Sequence, residues 1–136
     1  MLRLTNAMYM EMIGHCLTGL PDEACGLLVG TYGGDEATHL FPTANAAASA
    51  MVYEIDPKVM LTIDREAQKL GADIMGVFHS HTHTDAYPSP TDVAQALDPG
   101  WHYVLVSLRD THPVVRSYRI VDGAITEEPV DVPGLD

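Results

Sequence analysis

Apolar residues along this chain fall into short runs whose spacing separates helices from strands. Met8, Tyr9, Met12, Ile13, Cys16 and Leu17 recur three and four apart, the stripe of one helix face, and predict a helix over residues 5–19. Gly14 weakens that helix by about 1 kcal/mol against alanine, and Gly19 and Pro21 end it. Ala24 to Thr31 is apolar and bounded by turn residues, so it reads as a strand. Gly33-Gly34-Asp35 turns the chain, and Ala37 to Phe41 pairs back. Thr43 to Ala50, rich in Ala and Asn, reads as loop, and Met51 to Ile55 as a further strand. Asp56-Pro57 supplies an N-cap followed by proline at the first helical position. Met60, Ile63, Ala67 and Leu70 carry the apolar face of that helix, and Gly71 closes it.

Ile74 to Phe78 is a continuous apolar run leading into His79, as expected of a strand covered on both faces. A polar loop follows, then a short helix over Thr91 to Leu97. Trp101 to Leu108 and Val114 to Val121 read as strands, Asp122-Gly123 as a turn, and Ala124 to Val130 as a last short strand. The tail from Pro129 to Asp136 reads as loose. No repeat or linker divides the 136 residues, so residues 1–136 are expected to form one domain around one core. The fold class is α/β (α+β), a single mixed β-sheet with flanking helices.

Charge narrows the function. Lys and Arg number 7 against 19 Asp and Glu, a net charge of −12. Such a chain repels phosphate backbones, which excludes nucleic acid as a partner and disfavours anionic membranes. Cys16 and Cys25 are too few for a disulfide framework or a Cys-rich zinc knuckle. With neither a signal-peptide apolar region nor an apolar run of about 18 residues, the expected location is the cytoplasm.

The candidate chemistry lies in His79-Ser80-His81-Thr82-His83-Thr84-Asp85-Ala86-Tyr87-Pro88-Ser89-Pro90-Thr91-Asp92. Strand side chains two apart face the same way, so His79 and His81 can converge on one ion. Asp92, on the first turn of a helix after a loop long enough to fold back, completes two imidazoles and a carboxylate. That is a ligand set of catalytic zinc, with the fourth position left to water. His83 continues the pattern but falls where the chain reads as loop. Bland readings stand beside these. His-x-His pairs occur on surface strands without metal, and Ser89-Pro90-Thr91-Asp92 fits a capping box with proline at N1. Glu23 by itself is an acid beside a turn, and Cys25 reads as a buried strand thiol before it reads as a nucleophile.

Taken jointly, Glu23 in Pro21-Asp22-Glu23-Ala24-Cys25-Gly26-Leu27-Leu28-Val29-Gly30, then His79-x-His81, a seven-residue spacer and Ser89-x-x-Asp92 resemble the signature of the JAMM/MPN metalloprotease family. Ala86-Tyr87-Pro88-Ser89, His102-Tyr103-Val104-Leu105-Val106-Ser107 and Ser117-Tyr118-Arg119-Ile120-Val121-Asp122-Gly123 are similar to its bacterial Mec branch, so the resemblance covers nearly the whole chain. It implies a JAMM/MPN (cytidine-deaminase-like) domain with Zn2+ on His79, His81 and Asp92. It further implies Glu23 as general base and proton shuttle, and Ser89 as stabiliser of the oxyanion. The implied partner is a ubiquitin-like sulfur-carrier protein with a Gly-Gly C-terminus, from which cysteine is released in cysteine biosynthesis. A homodimer stays open. The alternatives are a general JAMM isopeptidase or C-terminal trimming protease on ubiquitin-like proteins, and a non-catalytic MPN scaffold, which usually loses ligands or the Glu. The H-x-E and P-C-x-x-C signature of nucleobase deaminases is absent. His83 departs from the relatives' small residue, and the long insertions of eukaryotic deubiquitinating members are missing.

Overall fold

In a computed structural model, residues 1–134 are described. Strands β1 (Leu2–Arg3), β2 (Cys25–Gly30), β3 (Ala37–Thr43), β4 (Asp73–His81), β5 (His102–Ser107), β6 (Val114–Val121), β7 (Ala124–Glu128) and β8 (Val130–Asp131) alternate with helices α1 (Asn6–Gly19), α2 (Pro57–Lys69) and α3 (Pro90–Gln95). Six strands form one mixed sheet in the order β3-β2-β4-β5-β6-β7. The β4–β5 pair is parallel and the other neighbours are antiparallel. That is the mixed sheet with flanking helices that the apolar pattern predicts.

The sheet buries both faces. On one, α1 lays Met8, Met12 and Cys16 against Leu28, Phe78, Val104 and Val106. On the other, Ile63 and Ala67 of α2 pack with Leu27, Val29, Val77 and Leu105. Successive strand side chains point to opposite faces, so Leu27 and Leu28 join different clusters. Gly26 makes the crowding possible: a Cβ there would sit 2.3 Å from the Phe78 ring and 2.7 Å from the Phe41 carbonyl oxygen. Local signals mark the helix ends. Thr5 Oγ1 accepts from Met8 N–H at 3.1 Å to start α1, and Asp56 accepts from Lys58 N–H at 2.8 Å to start α2. Gly71 follows α2 with φ +69°, the left-handed conformation that favours glycine.

Two expectations are corrected. Met51 to Ile55 is not a strand. The side chain of Asn45 holds it as loop, with Oδ1 accepting from Glu54 N–H at 3.0 Å and Nδ2 donating to the Val52 carbonyl at 3.0 Å. Nor is the start of the tail loose. Leu2 and Arg3 pair in parallel with Val130 and Asp131, forming a separate two-stranded sheet. Leu135 and Asp136 lie outside the described residues. Among those described, no helix is long and apolar enough to cross a membrane.

Candidate metal centre

The last residues of β4 build the centre. Val77, His79 and His81 alternate with Phe78 and Ser80, so both imidazoles leave the sheet on the face that carries α2. Cys25 stands opposite His79 across the β2–β4 pair. Beyond His81 the chain must return to bring Asp92 home, and three contacts secure the loop. Ser107 Oγ donates to the Thr84 carbonyl at 2.6 Å, Thr82 Oγ1 donates to the Ala50 carbonyl at 3.2 Å, and the Tyr118 hydroxyl donates to the Ala86 carbonyl. Then α3 begins with a capping box: Ser89 Oγ accepts from Asp92 N–H at 3.1 Å, and Asp92 Oδ2 accepts from Ser89 N–H at 2.9 Å. The capping reading of this motif and its convergence on the histidines are therefore both realised, by the same aspartate.

The three side chains meet at one point. Nε2 of His79 lies 3.1 Å from Asp92 Oδ1, Nε2 of His81 lies 3.0 Å from Asp92 Oδ2, and the two Nε2 atoms are 3.3 Å apart. Ligand atoms about 2.0–2.1 Å from a tetrahedral ion stand roughly 3.3–3.4 Å from one another. The cluster is thus within a few tenths of an ångström of a three-ligand shell, and His79, His81 and Asp92 fit a metal site. His81 Nδ1 donates to the Asp85 carbonyl at 2.7 Å, so in the neutral ring Nε2 turns its lone pair to the centre. Tyr53 stacks on His79 at 4.2 Å between ring centroids and 21° between planes, fixing the second ring.

The electrostatics ready His79 and Asp92 for a metal, while His81 must give up a proton to bind one. Burial lowers the pKa of His79 and so favours the neutral imidazole that can coordinate. Burial also opposes charge on His81 and on Asp92, but their mutual hydrogen bonds win. His81 is raised, with help from the Asp85 carbonyl, and Asp92 is held well below the usual carboxylate range by both histidines.

Glu23, just before β2, is buried beside this cluster. It lines a cavity of about 120 Å³ with His81, Ser89 and His83. Burial pushes its carboxyl up to about 7; the negative charge of Asp92 adds to the rise and His81 opposes it. In protein stripped by a chelator, a group raised from 4.5 to about 7 on folding contributes no penalty below pH 4.5. Between those values the unfolded state ionises and the folded state does not, so stability falls as pH rises and then levels off above about 7. Chelator-treated Glu23→Gln is therefore expected to melt above chelator-treated wild type at pH 8 and level with it at pH 4. Thermal unfolding monitored by circular dichroism at the two pH values checks this.

Residues 5–121 match the family of prokaryotic homologs of the JAB domain. The chain belongs to that family. This JAB chain is 48% identical to the CysO-cysteine peptidase of Mycobacterium tuberculosis over 122 residues, 89% of its own length and 84% of the relative's. It is 38% identical to the desampylase of Haloferax volcanii over 88 residues, covering 64% of this chain and 63% of that one. Among solved structures, protein DSY2949 of Desulfitobacterium hafniense has a TM-score of 0.87 at 36% identity, over 97% of this JAB chain and 92% of that chain. The resemblance to JAMM/MPN proteins is thus confirmed as family membership.

Of the residues singled out in the sequence, the JAB fold brings His79, His81 and Asp92 into one cluster and sets Glu23 and Ser89 at one cavity wall beside it. His83 is exposed at the mouth of that cavity and does not join the cluster. Cys25 is buried, its thiol 3.4 Å from Thr43 Oγ1 and pushed up by burial, as suits a strand thiol. Tyr53 and the Asp85 carbonyl escaped the sequence reading. Tyr53 sits where a strand was expected, and a backbone carbonyl has no residue signature.

Proposed function

We propose that residues 1–136 form one JAB domain acting as a cytoplasmic zinc peptidase, which releases cysteine from the C-terminal glycine of a ubiquitin-like sulfur-carrier protein ending in Gly-Gly. The observation that carries this is a three-ligand cluster with a buried carboxylate and a half-buried hydroxyl at its side. The similarity to a CysO-cysteine peptidase supports the choice of substrate.

His79 Nε2, His81 Nε2 and a carboxylate oxygen of Asp92 would hold zinc, which when bound supplies Lewis acidity that brings the pKa of water to about 7. Glu23 takes the proton of the attacking water and hands it to the leaving amine. The balance is simple: OH goes to the glycine carbonyl carbon, H goes to the cysteine nitrogen, and the C–N bond breaks. A carboxylate held at the same cavity wall as His81 and Ser89 is placed for both halves of that transfer. Ser89 Oγ already accepts from Asp92 N–H, so its own O–H remains available to donate to the developing oxyanion. These residues all come from one chain, so the chemistry requires no homodimer.

Two roles of Ser89 are separable. Ser89→Ala is expected to cost about 1 kcal/mol of stability through the lost cap and to lower kcat by roughly 10²-fold through the lost donor. Melting temperature and kcat on the same preparation check both; an unchanged kcat with a lower melting temperature leaves only the cap.

The deciding experiment for substrate compares a carrier–cysteine amide conjugate with the same carrier attached to a lysine side chain of a second protein. Faster cleavage of the cysteine conjugate is expected. Slow cleavage of it beside rapid cleavage of the isopeptide replaces this reading with the general isopeptidase.

A further inference from the structure

Glu23 decides where the departing residue lies. To hand its proton to the leaving amine, its carboxyl must come within hydrogen-bond reach of that nitrogen, about 2.6–3.2 Å. The residue that carries the amine therefore sits in the cavity that Glu23 lines with His81 and Ser89. That cavity is small. Its volume is about 120 Å³, the liquid volume of about four waters. A short side chain fits there, and a long or aromatic one does not. The walls are held in place: Thr82 Oγ1 donates to the Ala50 carbonyl at 3.2 Å, and Asn45 Nδ2 donates to the Glu23 carbonyl at 2.9 Å. Both bonds tie the loop before α2, which brings Met51 to the same cavity, to the strands that carry the site.

A single amino acid linked through its α-amine carries a free carboxylate on the carbon next to that amine. In a chain of net charge −12 this anion needs a donor to meet it. No Lys or Arg lines the cavity. The Thr82 hydroxyl already donates to Ala50, Ser89 faces the oxyanion, His81 is a ligand and Glu23 is itself an acid. Two side-chain donors remain, the His83 ring and the Thr84 hydroxyl, both exposed at the mouth, and His83 has the longer reach. An imidazole presents an N–H donor whether neutral or protonated, so the contact requires no charge on the ring.

We propose that this cavity is the pocket for the leaving residue, that it takes a small amino acid linked through its α-amine, and that the His83 imidazole donates to that residue's α-carboxylate. This rests on the function proposed above and names what selects the leaving group. A lysine linked through its side chain presents no carboxylate beside the amine and brings a four-carbon stem. His83 is thus a specificity residue, outside the ligand cluster and outside the proton path.

The test measures kcat/KM on three conjugates of one Gly-Gly-ending ubiquitin-like carrier, joined at its terminal glycine to cysteine, to cysteine amide or to tryptophan. Wild type is compared with His83→Ala and, as a control, with His39→Ala on the exposed side of β3. Wild type is expected to favour cysteine over its amide by at least about tenfold, the worth of a hydrogen bond to a charged group, and to release tryptophan more slowly still. His83→Ala is expected to cut cysteine and its amide within about twofold of each other, with the rate on the amide kept. His39→Ala is expected to match wild type on all three. Equal wild-type rates on cysteine and its amide, a preference that survives in His83→Ala, an equal loss on both substrates, or tryptophan released as fast as cysteine each overturns the pocket and leaves the proposed function standing. Wild type that cuts none of the carrier conjugates overturns the function, and the pocket assignment falls with it.

Discussion

Glu23→Gln lowers the rate of hydrolysis by at least about 10²-fold, the usual worth of a positioned general acid–base group, and leaves the bound metal unchanged. Glu23 is outside the ligand cluster but shares a cavity wall with His81 and Ser89, so its loss removes the proton carrier and no ligand. Gln is nearly isosteric and cannot take a proton, so the backbone contacts around it persist. These are Glu23 N–H donating to the Ser49 carbonyl at 2.8 Å and Asn45 Nδ2 donating to the Glu23 carbonyl at 2.9 Å. Measuring metal content and rate on one sample checks the expectation. Near-normal rate with full metal would reduce Glu23 to a structural acid.

Asp92 is the position where substitution does most damage, because one carboxylate serves both the metal cluster and the helix start. Asp92→Ala is expected to abolish metal binding and activity together and to destabilise the protein by about 1 kcal/mol through the lost capping box. Asp92→Asn separates the two effects. Its amide oxygen still accepts from Ser89 N–H, so the helix start survives, while the anionic ligand is gone and metal affinity drops by more than the 10–100-fold typical of outer-shell changes. Zinc titration against a chromophoric chelator, with melting curves of both variants, resolves the contributions. An Asn variant that keeps tight metal binding would remove Asp92 from the ligand set.

How far the sequence speaks depends on the range of the interaction involved. The helix starts at Thr5, Asp56 and Ser89 are local devices, written within four residues of chain, and each forms as read. The ligand pair is legible because the two-residue period of a strand survives to the end of β4. Met51 to Ile55 misleads because its apolar content resembles a strand, while its backbone is satisfied by Asn45, up to nine residues earlier. The β1–β8 pair is two residues on each side, joins distant parts of the chain and carries no periodicity to detect. Tyr53 against His79 depends on how that misread loop closes, so the positioning of one ligand is hidden in sequence although the ligand is plain.

The most direct test of the account is the intact-protein mass of a carrier–cysteine conjugate after incubation with zinc-loaded wild-type protein. The account predicts a carrier shortened by one cysteine residue, its terminal Gly-Gly intact, with free cysteine in equal amount, and no change when a chelator is present. A conjugate mass that stays unchanged with the zinc-loaded protein, or cleavage that proceeds equally with His79, His81 and Asp92 stripped of metal, would contradict it.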